Sequence, residues 1–402
     1  MSSVDTRALG SRRFRLYLIG QIVSLSGTAV QQVGLAWLMY RLSGSSALVG
    51  TTVLLTQLPI LLLSPIAGVL ADRFDRGIVL IATQAAGGLQ ALALALAAAT
   101  QVLSISALLG LSLLLGIVNS VDVPARQSIV PRLVDRPQDI GNAVALSAAA
   151  LHLSRLLGPA VAAVLLAHFD VWVCFLCNSV SYVATIVVLH RLDLTAHEPI
   201  RQVSLNSLRE GFKYCLEHAE VKYILQLVIL TSLLAIPYTV LLPAASQLWF
   251  AAEAPLYAKI MSVAGSGSLL AALFLAQFHD HAMLKFLIPS AALVSGGCLV
   301  VLGLAAGHLS SIEVLASIAL LGCALTLVIS GANVAIQHQL PEVLRGRVMG
   351  LFVMSFNGVG ALGNLLWGTL ADRYGLAGTF SCLGMLLGVG TVSLLFVEYQ
   401  RR

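Results

Sequence analysis

Two neighbouring strings decide how this chain is read: Asn119-Ser-Val-Asp122-Val-Pro-Ala-Arg126-Gln-Ser-Ile-Val-Pro131-Arg-Leu-Val134, and further on Leu151-His152-Leu-Ser154-Arg155-Leu-Leu-Gly158-Pro159-Ala-Val-Ala162-Ala163. Long apolar runs flank both, yet together they carry three arginines, an aspartate and a histidine. Charged groups are expensive at bilayer depth, and those found there face one another or a water-filled path. The flanking sequence must therefore be membrane-spanning, and the chemistry of the protein is expected near these side chains.

Composition agrees. Of 402 residues, 58% are hydrophobic and only 10% charged, against about a quarter charged in soluble domains. Twelve apolar segments reach the roughly 20 residues that a helix needs to cross the hydrocarbon layer: 14–40, 46–71, 78–99, 103–127, 142–167, 171–191, 221–246, 256–278, 283–306, 311–337, 347–371 and 375–397. The fold class is all-α integral membrane, with domains at 1–191 and 221–402, six helices each. A cytoplasmic linker at 192–220 joins them. Within it Leu205, Leu208, Phe212 and Cys215 recur at helical spacing, which predicts an amphipathic helix on the membrane surface. The first apolar segment follows Arg7, Arg12, Arg13 and Arg15 without a small-residue cleavage site, and reads as a retained helix.

The net charge of +5 has its explanation in topology and not in nucleic acid. With the amino terminus in the cytoplasm, nineteen lysines and arginines collect on that side and three, Arg41, Lys259 and Arg373, on the other. Such a bias places both termini in the cytoplasm. The six cysteines fall mostly inside apolar runs, without metal-ligand spacing, and predict neither disulfides nor a metal site. His279-Asp280-His281 reads as a solvated link. A shift of 210 positions superposes Ala125 on Ala335, Gln127 on Gln337, Pro131 on Pro341 and Gly158 on Gly368, and a shift of 208 superposes Asp72 on Asp280. With the six-plus-six layout, these matches suggest two similar bundles around a solute path.

Polar residues form stripes at helical spacing. Gln21, Ser24, Thr28 and Gln31 share one face of the first span; Asn119, Asp122 and Arg126 one face of the fourth; Thr326, Ser330, Asn333 and Gln337 one face of the tenth; Asn357 and Asn364 accompany Gly360 and Gly368 in the eleventh. These groups either line a cavity or satisfy one another between packed helices. Asp122 and Arg126, four residues apart, can pair. Counting from Asn142 at ~1.5 Å per residue puts Arg155 about 20 Å into its helix. It is either a structural cation or, with His152 on the same face, an attractor for an anionic or hydroxyl-rich solute.

The link after the second span reads Gly68-Val-Leu-Ala-Asp72-Arg73-Phe-Asp75-Arg76-Gly77. It resembles the signature loop of the major facilitator superfamily, whose glycine, aspartate and arginines latch the cytoplasmic side; Gly68, Asp72, Arg73 and Arg76 match. Asp75 stands where a glycine is usual and Gly77 where a basic residue is usual. A copy-like string, Gly368-Thr-Leu-Ala-Asp372-Arg373-Tyr-Gly375, falls on the opposite side of the membrane and takes no part in that latch. Ser154, Gly158, Pro159, Ala162 and Ala163 resemble the superfamily's antiporter signature, with Ser or Ala for three glycines; small residues there allow close helix packing with or without a tie to antiport.

The two opening strings, Asn142-Ala-Val-Ala-Leu, and Pro341-Glu-Val-Leu-Arg345-Gly-Arg347-Val-Met-Gly350 are similar to the superfamily branch that holds the enterobactin exporter and the transmembrane secretion effectors. The resemblance implies an inner-membrane exporter of small organic molecules, working by alternating access on the proton gradient and without a cofactor. Within it Asp122 and Arg126 are expected as a proton-coupled switch. Arg155, His152, Asn119, Gln21, Gln31, Asn333 and Gln337 are expected along the solute cavity. A siderophore-like solute suits a deep arginine; a multidrug pump is the alternative, and a separate outer-membrane channel is a conceivable partner. A transporter-like sensor would be expected to carry an added soluble domain or signalling tail. No catalytic triad, phosphate loop or metal-spaced His cluster suggests an enzyme.

Overall fold

The computed structural model describes residues 7–71, 75–192, 212–250, 253–277, 281–304 and 311–401. All regular structure among them is helical, and twelve helices are long and apolar enough to cross a membrane. The first six are α1 Arg12–Ser43, α2 Ser46–Ala71, α3 Arg76–Ala99, α4 Ile105–Ile129, α5 Ile140–His168 and α6 Trp172–Arg191. The seventh span is made of α7 Ala219–Leu234 and α8 Tyr238–Phe250; then come α9 Ala254–Gln277, α10 His281–Leu304 and α11 Ser311–Gln339. The eleventh is α12 Glu342–Val353 and α13 Val359–Tyr374, and the last is α14 Leu376–Arg401. Helices are the expected answer for such apolar runs, because every backbone donor and acceptor must be satisfied within the segment.

Two spans are interrupted. Pro237 has no amide to donate, and the seventh span turns over residues 235–237 before α8 begins. In the eleventh, Met354–Gly358 forms a π-helical bulge, which takes up an extra residue and shifts the face presented beyond it. Helix starts follow their capping residues. Ser104 Oγ accepts from the Ala107 amide (3.2 Å) at the head of α4. Asp75 Oδ1 accepts from the Gly77 (2.7 Å) and Ile78 (3.3 Å) amides at the head of α3, so the residue that departs from the signature loop has a local role of its own.

The chain divides into two compact units, Met1–Leu38 with Leu55–Gln202, and Met39–Leu54 with Val203–Arg402. The end of α1 and the start of α2 therefore belong with the second half. Each unit repeats one packing scheme. In the first, α3 lies on α6 and on α4; in the second, α10 lies on α14 and on α11, the same pairs of spans six apart. Glycines at the crossings let the backbones approach. Gly116 of α4 meets the carbonyls of Leu55 and Thr56 on α2, and in the second unit Gly267 of α9 and Gly322 of α11 meet Ala319 and Ala264. In lipid, apolar burial gives helices little reason to associate, so such close van der Waals contact does much of the work.

Phe14, Leu80, Ile129, Leu133 and Leu189 belong to one core cluster of the first unit. Val221, Leu227, Leu284, Val328 and Ile336 belong to one of the second. Most of the expected amphipathic helix, including Leu205 and Leu208, lies outside the described residues. Its end is helical over 212–217, with Cys215 buried in the second unit's core and Phe212 and Leu216 exposed. Burial pushes the Cys215 thiol up from its ordinary pKa.

Candidate functional site

Asp122 sits on α4 with only 3% of its surface exposed. Helical spacing puts Arg126 one turn on, and Arg126 donates to Oδ2 through Nε (3.1 Å) and Nη2. The packing of α3 against α4 brings two more donors to Oδ1: Thr83 Oγ1 at 2.8 Å and Gln84 Nε2 at 2.7 Å. Both oxygens are thus filled, which is what an ion pair away from water requires. Tyr17 of α1 closes the same region, its hydroxyl donating to the Arg126 carbonyl at 3.4 Å. Four hydrogen bonds thus converge on the carboxylate, and its charge holds Arg126 against α4.

Polar contacts continue through the first unit. Ser24 Oγ of α1 donates to Gln84 Oε1 at 3.5 Å, the long limit of a hydrogen bond. Deeper along α1, Gln31 accepts from Asn178 Nδ2 of α6 (2.8 Å) and donates to Gln90 Oε1 of α3 (3.2 Å); Gln90 in turn donates to the Leu111 carbonyl of α4 (3.0 Å). Gln31 is buried, and both ends of its amide serve other helices. Gln21 Oε1 is buried without a hydrogen-bond partner among the described residues. Asn119 is half-buried on α4.

On α5, Ser154 Oγ donates to the Ile22 carbonyl of α1 at 3.3 Å. A Cβ at Gly158 would collide with that of Ala29, and Ala162 and Ala163 are buried. The small-residue string therefore seats α5 on α1, and Pro159 stays inside a continuous helix. Arg155, next to buried Ser154, is exposed and engaged with other groups. His152 lies in α5, its side chain outside the described part. In the second unit Gln337 Nε2 donates to Asn333 Oδ1 one turn back on α11; Gln337 is exposed and Asn333 half-buried.

Of the residues expected in a cytoplasmic latch, Gly68 lies in α2 and Arg76 opens α3, while Asp72 and Arg73 are outside the described residues. Thr83, Gln84, Gln90 and Asn178 lie outside the polar stripes. Their signal is present as polar residues inside apolar spans three and six, but which of them reach Asp122 depends on how α3 is rotated. Among the described residues no cluster of His, Cys, Asp or Glu is suited to a metal.

A family model described as transmembrane secretion effector matches residues 7–401. The chain is 26% identical to the staphyloferrin A transporter of Staphylococcus aureus, over 93% of this chain and 92% of the relative. It is 27% identical to the enterobactin exporter EntS of Shigella boydii (97% and 92%), and 25% identical to the multidrug efflux pump Tap of Mycobacterium tuberculosis (92% and 90%). Among solved structures it resembles a POT family transporter (TM-score 0.75, 14% identity, 97% and 96% covered). The nucleoside transporter NupG is a second fold neighbour (TM-score 0.72, 14% identity, 96% and 98% covered). Twelve spans, a twice-used packing scheme, these neighbours and a family match over nearly the whole length lead to one conclusion: the chain belongs to the transmembrane secretion effector family of major facilitator transporters, multi-pass membrane proteins that move small molecules.

Proposed function

We propose that this protein exports a small organic molecule across the bacterial inner membrane in exchange for protons, by alternating access and without a cofactor. The observation that carries the reading is Asp122, the only carboxylate buried among the described residues, held by donors from α3 and by an arginine that a proton would release. Asp122 and Arg126 are the coupling pair. Arg155 with His152 attracts the solute, and Asn119, Gln21, Gln31, Asn333 and Gln337 lie along its path or hold the helices that form it. Gly68, Asp72, Arg73 and Arg76 latch the cytoplasmic side, where both termini lie. A siderophore-like solute is favoured by similarity to the staphyloferrin A transporter and EntS, and an anionic chelator suits an exposed arginine on a membrane helix. Multidrug efflux is the second reading, favoured by similarity to Tap. Nothing in the reading calls for catalysis or nucleic acid, and a separate outer-membrane channel would complete export in a two-membrane cell.

The test is transport in proteoliposomes under an imposed proton gradient. Wild type moves solute and Asp122→Asn does not; gradient-driven export by Asp122→Asn overturns the coupling assignment. For Arg155, binding of citrate-type and catechol-type chelators is measured alongside that of a cationic drug. Arg155→Ala weakens chelator binding about tenfold or more, the scale of one lost charged hydrogen bond. Equal chelator affinity in both forms removes the binding role.

A further inference from the structure

The copy-like string at the end of α13 has a partner in the structure. Asp372 Oδ2 accepts from Ser45 Oγ at 2.6 Å and from the Ala47 amide at 3.0 Å, and Oδ1 accepts from the Ser46 amide at 2.8 Å. Ser45 Oγ accepts in turn from the Leu48 amide at 3.2 Å. The carboxylate of α13 thus caps the first turn of α2, where free amides and the positive end of the helix dipole favour an anion.

The helices are pressed together behind this cap. A Cβ on Gly368 would strike the Ser46 carbonyl, and one on Gly50 the Asn364 carbonyl. These contacts explain why Met39–Leu54 clusters with the second unit while the rest of α1 and α2 belongs to the first. Both α1 and α2 therefore pass from one unit to the other near their outer tips.

Gly68-Val-Leu-Ala-Asp72-Arg73 ends the second span and Gly368-Thr-Leu-Ala-Asp372-Arg373 ends the eleventh. By span count the first faces the side of the amino terminus and the second the opposite side. We propose that Asp372 is an outer latch: it fastens the tip of the first half's opening hairpin to α13 and lets go when the transporter opens away from the amino terminus. The inference rests on the alternating-access reading of the proposed function. A release needs no bond chemistry, only exchange of three hydrogen bonds for water, and the glycine contacts then part with it.

Hydrogen exchange followed by mass spectrometry on the full chain in lipid nanodiscs tests the latch. In Asp372→Ala, exchange at residues 46–48 speeds up about tenfold or more. As the latch is lost, the gain spreads to 364–373 and to the link at 168–172 on the same membrane side. Ser45→Ala, which leaves the carboxylate on two amides, shows the same pattern more weakly and serves if Asp372→Ala fails to fold. A change confined to 46–48, or none, makes Asp372 a plain helix cap and overturns the proposal. The readout needs no transport. If wild-type vesicles show no proton-driven export, the proposed function fails while the exchange pattern still decides the latch.

Discussion

Asp122 and Arg126 illustrate what a buried ion pair demands. Removing one partner leaves the other charged in a place built for two, which costs about 3–5 kcal/mol. Asp122→Asn is expected to lower stability by that amount in detergent thermal unfolding. Adding Arg126→Gln should recover most of the loss without restoring proton-driven export; a double variant as unstable as the single one would show that the pair is not what was broken. Gln84→Leu leaves Asp122 Oδ1 with Thr83 alone and is expected to cost about 1–3 kcal/mol, a buried acceptor's share of a lost donor, measured the same way. The Asp122 and Arg126 pair was legible in the sequence because four-residue spacing fixes contact within one helix. Thr83 and Gln84 were not, because their contact with Asp122 is set by the rotation of α3 against α4, which apolar periodicity leaves open in a helix surrounded by apolar neighbours. Gln31 shows the same limit: its stripe position allowed either a cavity or a helix interface, and only the packed neighbours Gln90 and Asn178 show where its hydrogen bonds go.

Elements were easier to read than contacts. Twelve runs long enough for the bilayer must be helices, and the caps at Ser104 and Asp75 mark where two of them start. Pro237 announces the break in the seventh span through its missing amide, whereas the π-bulge at 354–358 has no comparable residue signature and came only from the structure. The seating of α5 on α1 gives a sharp prediction. Gly158→Ala inserts a methyl group against Ala29 and is expected to destabilise by about 1–3 kcal/mol through overpacking. Ala29→Gly in the same chain removes the opposing methyl and should restore most of the melting temperature. Failure of that rescue would mean that Gly158 is needed for something other than its lack of a side chain. Transport by the rescued double variant separates packing from any further role of the antiporter-like string.

At the scale of the whole molecule, the two units share a packing scheme but differ in interior. The first holds the Asp122 pair and the amide contacts around Gln31, while among the described residues the buried polar side chains of the second are serines, threonines and Asn364, with the indole nitrogens of Trp249 and Trp367 and one oxygen of half-buried Glu220 also out of water. Twelve spans could be counted from apolar run lengths. The transfer of residues 39–54 to the second unit could not, because it depends on Asp372 reaching the start of α2 across more than 300 positions of sequence. Orientation is the remaining global property, and charge is what predicts it. Nineteen basic residues on one side against three on the other predict that a fluorescent protein fused after Arg402 lights up in the cytoplasm. Alkaline phosphatase placed in the link at 43–46 becomes active outside, and the same enzyme in the link at 192–211 stays inactive. Adding four lysines to the link at 168–172 should lower the yield of correctly inserted protein, because it erodes the bias that directs insertion. Phosphatase activity from the 192–211 fusion would reverse the assignment, moving Asp122 and Arg126 to the outer end of their helix and Asp372 to the cytoplasmic face.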